Sequence, residues 1–127
     1  MVIPMLSAEI VRDLFMARLQ PAGFTLDNQL ARFGWYEIHR GEQQVHILRQ
    51  HGGLMVYITI DSRHLRRTGA NMRLRRMRVP GLGSLRVWGY ASTDTLRYTG
   101  FRFCLHSFLG LEVAEVLAER IAGAMLA

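Results

Sequence analysis

Between Arg63 and Arg78 the chain places seven arginines in 16 residues: Arg63, Arg66, Arg67, Arg73, Arg75, Arg76 and Arg78. His64 lies among them, and the stretch holds no acid. A guanidinium is planar and permanently charged, and it forks onto carboxylate or phosphate through two parallel hydrogen bonds. So dense a run must face water, a phosphate or a carboxylate surface, because burying unpaired charge is prohibitive. Further along, Arg86, Arg97 and Arg102 interleave with Trp88, Tyr90 and Tyr98. Arginines that release counterions, beside rings that can stack on bases, suit a nucleic acid. Arg73, Arg75, Arg76 and Arg78 are the expected phosphate contacts, with Trp88 and Tyr90 as stacking candidates. No helix-turn-helix spacing, RNP pattern, zinc knuckle or KH-type GxxG loop accompanies them. An acidic protein surface is therefore the alternative partner, and a merely solvated, solubilising loop is the ordinary explanation of such a run.

Other constellations are weaker. Glu37, His46 and Tyr57 fall on one line across three expected strands, and a carboxylate beside an imidazole can serve acid–base chemistry. No nucleophile or oxyanion site joins them, so a cross-strand polar pair is the simpler reading. Cys104 and His106 are two apart on a strand, but the apolar run around Cys104 raises a thiol's pKa and points to core packing. His39, His46 and His51 have no Cys or Asp at metal-ligand spacing, so no metal or cofactor is expected. Gly81-Leu82-Gly83 has Arg86 where a dinucleotide loop needs its third glycine.

The charge is uneven. Residues 1–60 carry five arginines against five acids; residues 61–106 carry ten against Asp61 and Asp94, net +8; residues 107–127 carry Arg120 against Glu112, Glu115 and Glu119, net −2. The total is +6, and every one of the 16 basic residues is arginine. Genomic GC content is the plain explanation of that preference. Without lysine there is no Schiff base, Walker-A or kinase-lysine chemistry, and no catalytic residue is assigned. A length of 127 residues, 50% of them hydrophobic, fits a single domain over 1–127 with its own core. One cysteine excludes an internal disulfide and suits a reducing compartment. No apolar stretch approaches a membrane span and the start lacks a signal-peptide pattern, so a cytoplasmic protein without membrane attachment is expected.

The elements that must position these residues follow from periodicity. Ser7 caps a helix over about 8–20, with Ile10, Val11, Leu14, Phe15 and Leu19 as its apolar stripe. Residues 34–60 read as a three-stranded meander over 35–40, 43–49 and 54–60, with glycines at both turns. Pairing Arg40 with Gln43, and Gln50 with Gly53, collects Tyr36, Ile38, Val45, Ile47, Leu54, Val56, Ile58 and Ile60 on a core face. The other face collects Trp35, Glu37, His39, His46, Leu48, Met55, Tyr57 and Thr59. It is half apolar, and Trp35, Leu48, Met55 and Tyr57 are candidates for a partner face. Residues 62–68 suit a short helical turn; residues 72–79 suit a strand with a bulge at Arg75-Arg76, or an irregular loop. A hairpin over 84–90 and 95–103, pairing Tyr90 with Thr95, precedes a last helix over about 108–125. Leu109, Val113, Val116, Leu117, Ile121 and Ala124 form that helix's buried stripe, while Ala114, Ala118, Ala122 and Gly123 offer small residues for a homodimer face.

The fold class is therefore α+β: an N-terminal helix, an antiparallel sheet of about five strands (meander plus hairpin), and a C-terminal helix packed on it. In element order alone it is similar to small bacterial secretion chaperones, whose helices flank a five-stranded sheet and which dimerise. That likeness implies a protein-binding adaptor or chaperone; a small basic inhibitor encoded by a mobile element is a related expectation. The leading expectation is a non-enzymatic binding protein using residues 63–78 with Arg86, Arg97 and Arg102 on an acidic partner, nucleic acid first.

Overall fold

A computed structural model describes residues 6–27, 34–76, 90–91 and 98–126, with the backbone alone for Asn71, Arg75, Tyr90 and Ala91. Helix α1 spans Ala8–Leu19, and Ser7 accepts a hydrogen bond from the Ile10 amide at 3.1 Å, as an N-cap should. Val11, Phe15 and Leu19 are buried, with Ile10 and Leu14 packed beside them. A 3-10 turn over Gln20–Ala22 ends at Gly23, whose φ of +92° reverses the chain.

The strands are β1 Thr25–Asp27, β2 Trp35–Arg40, β3 Gln43–Gln50, β4 Gly53–Asp61, β5 Tyr90–Ala91 and β6 Tyr98–His106. They form one sheet in the order β1-β2-β3-β4-β6-β5, with every neighbouring pair antiparallel. The meander has the expected register, Arg40 opposite Gln43 and Gln50 opposite Gly53. Its core face is buried throughout, and Phe101, Phe103 and Leu105 of β6 extend it. Alternation alone does this, since side chains of period two cannot change face without a bulge.

Between β4 and β5 come two short helices, α2 Ser62–Thr68 and α3 Ala70–Arg75. The helical turn over 62–68 is therefore present, but the strand expected over 72–79 is not: its described part, as far as Arg75, is helix. Ala70 and Leu74, four apart, are both buried on one helical face. The helix satisfies that spacing without the bulge a strand would need. Gly69, at φ +71°, separates the two helices. Helix α4 spans Leu111–Leu126 and packs against α1 and α3 on the core face of the sheet.

Four further expectations are corrected. Tyr90 pairs with Gly100, not Thr95, so the connection between β5 and β6 is longer than a tight turn. The short strand β1 pairs Thr25 with His39 at the sheet edge, a strand absent from the periodicity reading because three residues show no pattern. Cys104 is exposed: it lies between buried Phe103 and Leu105 on the helix-free face of β6, the face that carries no helix among the described residues, so its apolar neighbours belong to the other face. In α4, Ala114, Ala118 and Ala122 are buried within this chain with Leu117 and Ile121. They let α4 approach its own domain closely, and of the small-residue set only Gly123 is exposed. No helix among the described residues is long and apolar enough to cross a membrane.

Candidate functional site

The described arginines of α1, β2 and β3 are committed to local structure. Arg12 lies 4.7 Å over the ring of Tyr36 and pairs with Asp13 at 2.8 Å, which holds its pKa above the ordinary guanidinium value. Arg18 donates to the Leu14 carbonyl at 3.1 Å. Arg40 donates to the Ala22 carbonyl at 2.7 Å and lies 4.8 Å over Phe24. Arg49 pairs with Glu9, tying β3 to α1. Arg12, Arg40 and Arg49 each join two elements or cover an aromatic ring, while Arg18 folds back on its own helix.

The α2–α3 arginines differ. Leu65, Ala70 and Leu74 anchor the two helices in the core. Arg63, Arg66, Arg67, Arg73 and Arg76 are exposed. Arg63 is held by Asp61 at 3.4 Å, and that pairing lowers the Asp61 pKa. Asp61 also caps α2 by accepting from the Arg63 amide at 2.8 Å. Arg67 reaches His64 Nδ1 at 3.5 Å, and His64 Nε2 lies 3.1 Å from the Ala124 carbonyl in the last turn of α4. Arg73 donates to the Thr68 carbonyl at 3.3 Å. The guanidinium groups of Arg66 and Arg76 have no hydrogen-bond or ion-pair partner among the described residues. The helix pair therefore carries concentrated positive charge against one nearby carboxylate, and it sits at the C-terminal end of α4.

Not every expected contributor joins this surface. Arg102 stands opposite Tyr57 on the helix-free face of the sheet, away from the helix layer to which α2 and α3 belong. Strand alternation sends it there, because Phe101 and Phe103 take the core side. Arg75 and Tyr90 are placed by backbone only, in α3 and in β5 beside β6. Arg78, Arg86, Trp88 and Arg97, with the hairpin pairing of Trp88 and Arg97, lie outside the described residues.

The helix-free face assembles the partner-face candidates. Trp35, Leu48, Met55 and Cys104 are direct cross-strand neighbours on β2, β3, β4 and β6. Cys104 Sγ lies 3.7 Å from Met55 Sδ and 3.7 Å from Gln50 Nε2. The adjacent row is Asp27, Glu37, His46, Tyr57 and Arg102. The expected Glu37–His46–Tyr57 line is thus real, and it ends in a carboxylate at one side and an arginine at the other. His46 meets Trp35 edge-on at 5.5 Å between ring centres and Tyr57 at 6.3 Å. Its Nε2 is buried with no hydrogen-bond partner among the described residues. Burial lowers the His46 pKa, and the charge of Glu37 opposes that shift without overcoming it. A neutral imidazole packed between rings is a structural element of the face. No group of three His, Cys, Asp or Glu side chains is arranged to hold a metal among the described residues. Comparison with protein-family models, with curated proteins and with solved structures yields no match.

Proposed function

We propose that this chain is a small non-enzymatic binding protein that grips the phosphates of a nucleic acid with the arginines of α2 and α3. The observation that carries the reading is the contrast between committed and uncommitted guanidinium groups. Arg12, Arg18, Arg40 and Arg49 are engaged within the fold, whereas Arg66 and Arg76 are exposed, their guanidinium groups with no partner among the described residues. Arg67 and Arg73 keep most of their donors for an outside ligand, since each makes one long contact. Short helices anchored by Leu65 and Leu74 hold these charges on a firm support, which reduces the entropy cost of engaging a charged backbone. Arg75, Arg78, Arg86 and Arg97, with Trp88 and Tyr90, extend the same basic, aromatic-bearing stretch in sequence.

The test is fluorescence anisotropy with labelled single- and double-stranded DNA and RNA at several salt concentrations. Wild type should bind with a steep salt dependence, and Arg66→Ala/Arg73→Ala/Arg76→Ala should flatten the log–log slope by about 0.9 per lost phosphate contact on a duplex. Arg18→Ala, on α1, should leave the slope unchanged. Absence of binding at low salt overturns the reading.

A second reading is favoured by the cross-strand row Trp35–Leu48–Met55, with Tyr57 beside it. All four are half-buried apolar or amphipathic side chains on the face that carries no helix among the described residues. Such a surface suits a protein-binding adaptor, chaperone or inhibitor, with aromatic residues as anchors. Leu48→Glu/Met55→Glu would then abolish capture of a polypeptide partner, and purified protein would show no excess absorbance at about 260 nm from bound nucleic acid.

A further inference from the structure

Four large apolar side chains are strongly exposed among the described residues: Phe108 at 66%, Leu111 at 49%, Met72 at 48% and Leu126 at 39%. Three of them lie at the two ends of α4. Phe108 and Leu111 lie at its start, with the Phe108 ring 5.5 Å from His106. Leu126 lies at its end, where His64 of α2 reaches the Ala124 carbonyl; Met72 is carried by α3, which packs on α4. About 22 Å of helix separates Leu111 from Leu126 at 1.5 Å per residue.

Charge divides along the same axis. Glu112, Glu115 and Glu119 are exposed on the first half of α4, spaced three and four apart on one outward stripe that continues through Gly123 to Leu126. At the opposite end Arg67 of α2 lies 3.5 Å from His64, whose ring reaches the Ala124 carbonyl. Helix α4 therefore offers apolar side chains with acids at its start, and Leu126 beside the arginine-bearing helix pair at its end.

We infer that α4 is the interface of a two-fold homodimer in which the α4 helices of two copies lie antiparallel, each acidic, Leu111-bearing end set against the partner's basic, Leu126-bearing end. A two-fold axis near the middle of α4 brings both complementary sets together twice, as an isologous interface requires. A parallel arrangement would set acid against acid and arginine against arginine, which costs energy at every contact. Gly123, about one turn from the axis, permits close approach, and near the axis the two Glu119 side chains come nearest each other, each beside an exposed Arg120 of its own helix. The buried alanines of α4 take no part, since they face their own core.

This inference does not rest on nucleic-acid binding, and its test contains no nucleic acid. Sedimentation equilibrium of the full chain over a concentration range should show mass rising from 14.5 kDa toward twice that value. Glu112→Arg/Glu115→Arg, exposed positions whose change leaves the core intact, should restore the monomer with an unaltered circular dichroism spectrum. Leu111→Ser should weaken the dimer at least tenfold in Kd. The direction of the helices is read separately in a Cys104→Ser background. A mixture of Leu111→Cys and Leu126→Cys chains should form the mixed disulfide on oxidation, and Leu111→Cys alone should not cross-link. A monomer at every concentration, a dimer indifferent to the glutamate reversal, or a Leu111→Cys self-cross-link would each overturn the inference.

Discussion

A methyl group added at Gly53 would lie 2.1 Å from the Leu105 carbonyl oxygen, a backbone atom that cannot swing away. Gly53 opens β4 opposite His106, where the turn is pinned by Ser107: its hydroxyl and its amide both donate to the Gly52 carbonyl, at 3.0 and 3.1 Å. Gly53→Ala must push β4 from β6 at the centre of the sheet, and it should cost at least about 2–3 kcal/mol in urea unfolding, the range of an overpacked core. Its neighbour Gly52 has open space but a φ of +84°, so Gly52→Ala should cost only about 1–2 kcal/mol of backbone strain. Equal costs for the two would contradict this account. At His46 the same scale predicts a pH effect. Burial holds its pKa below the usual imidazole range, so the unfolded chain takes up the proton first as pH falls. The contribution to stability is intact above about pH 6.5, the ordinary imidazole value, and is lost as pH falls from there toward the folded-state pKa. His46→Gln should flatten the pH dependence of the urea midpoint across that window.

At the scale of elements, each helix is held at its start or by a buried contact. Helix α1 depends on Ser7, which satisfies an amide that would otherwise have no partner in the first turn. Ser7→Ala should lower stability by about 1 kcal/mol while Ser7→Asp retains it, as thermal unfolding would report. The pair α2–α3 is too short to be stable in isolation. It persists because Leu65, Ala70 and Leu74 are buried and because Asp61 and Thr68 accept from the amides of Arg63 and Ala70. This is also where the sequence pattern was ambiguous. Residues 72–79 alternate well enough for a strand, and only the packing of Leu74 one turn after Ala70 selects a helix. The three strands of the meander were legible because their turns carry glycine where positive φ is needed, Gly41 at +59° and Gly52 at +84°, and because alternation collects Tyr36, Ile38, Val45, Ile47, Leu54, Val56, Ile58 and Ile60 on one face.

For the whole molecule, the governing feature is the segregation of charge. The N-terminal 60 residues balance five arginines with five acids, and the arginines Arg12, Arg40 and Arg49 are engaged in contacts that join α1, the 3-10 turn and the sheet. The surplus sits in α2, α3 and the residues that follow, while α4 shows acids. A domain built this way carries concentrated positive charge on one helix pair and a stripe of the opposite sign on its own last helix. The helix-free face of the sheet is the second surface of consequence, with an apolar row and a titratable row running side by side.

The linear order of residues by itself determined the α+β class, the register of the meander, the cap of α1 and the density of positive charge. All of these are local: they depend on period two or 3.6, on a glycine at a turn, or on composition. Three things were decided only by the tertiary structure. Cys104 is exposed because β6 lies beside β4 with its phenylalanines inward. Ala114, Ala118 and Ala122 are spent on contact with this chain's own core, because α1 and α3 both approach α4 closely. Arg102 parts from the other arginines because a strand and a helix pair address opposite sides of the sheet. Each depends on which distant segment becomes a neighbour, and burial against a distant segment leaves no period in the sequence.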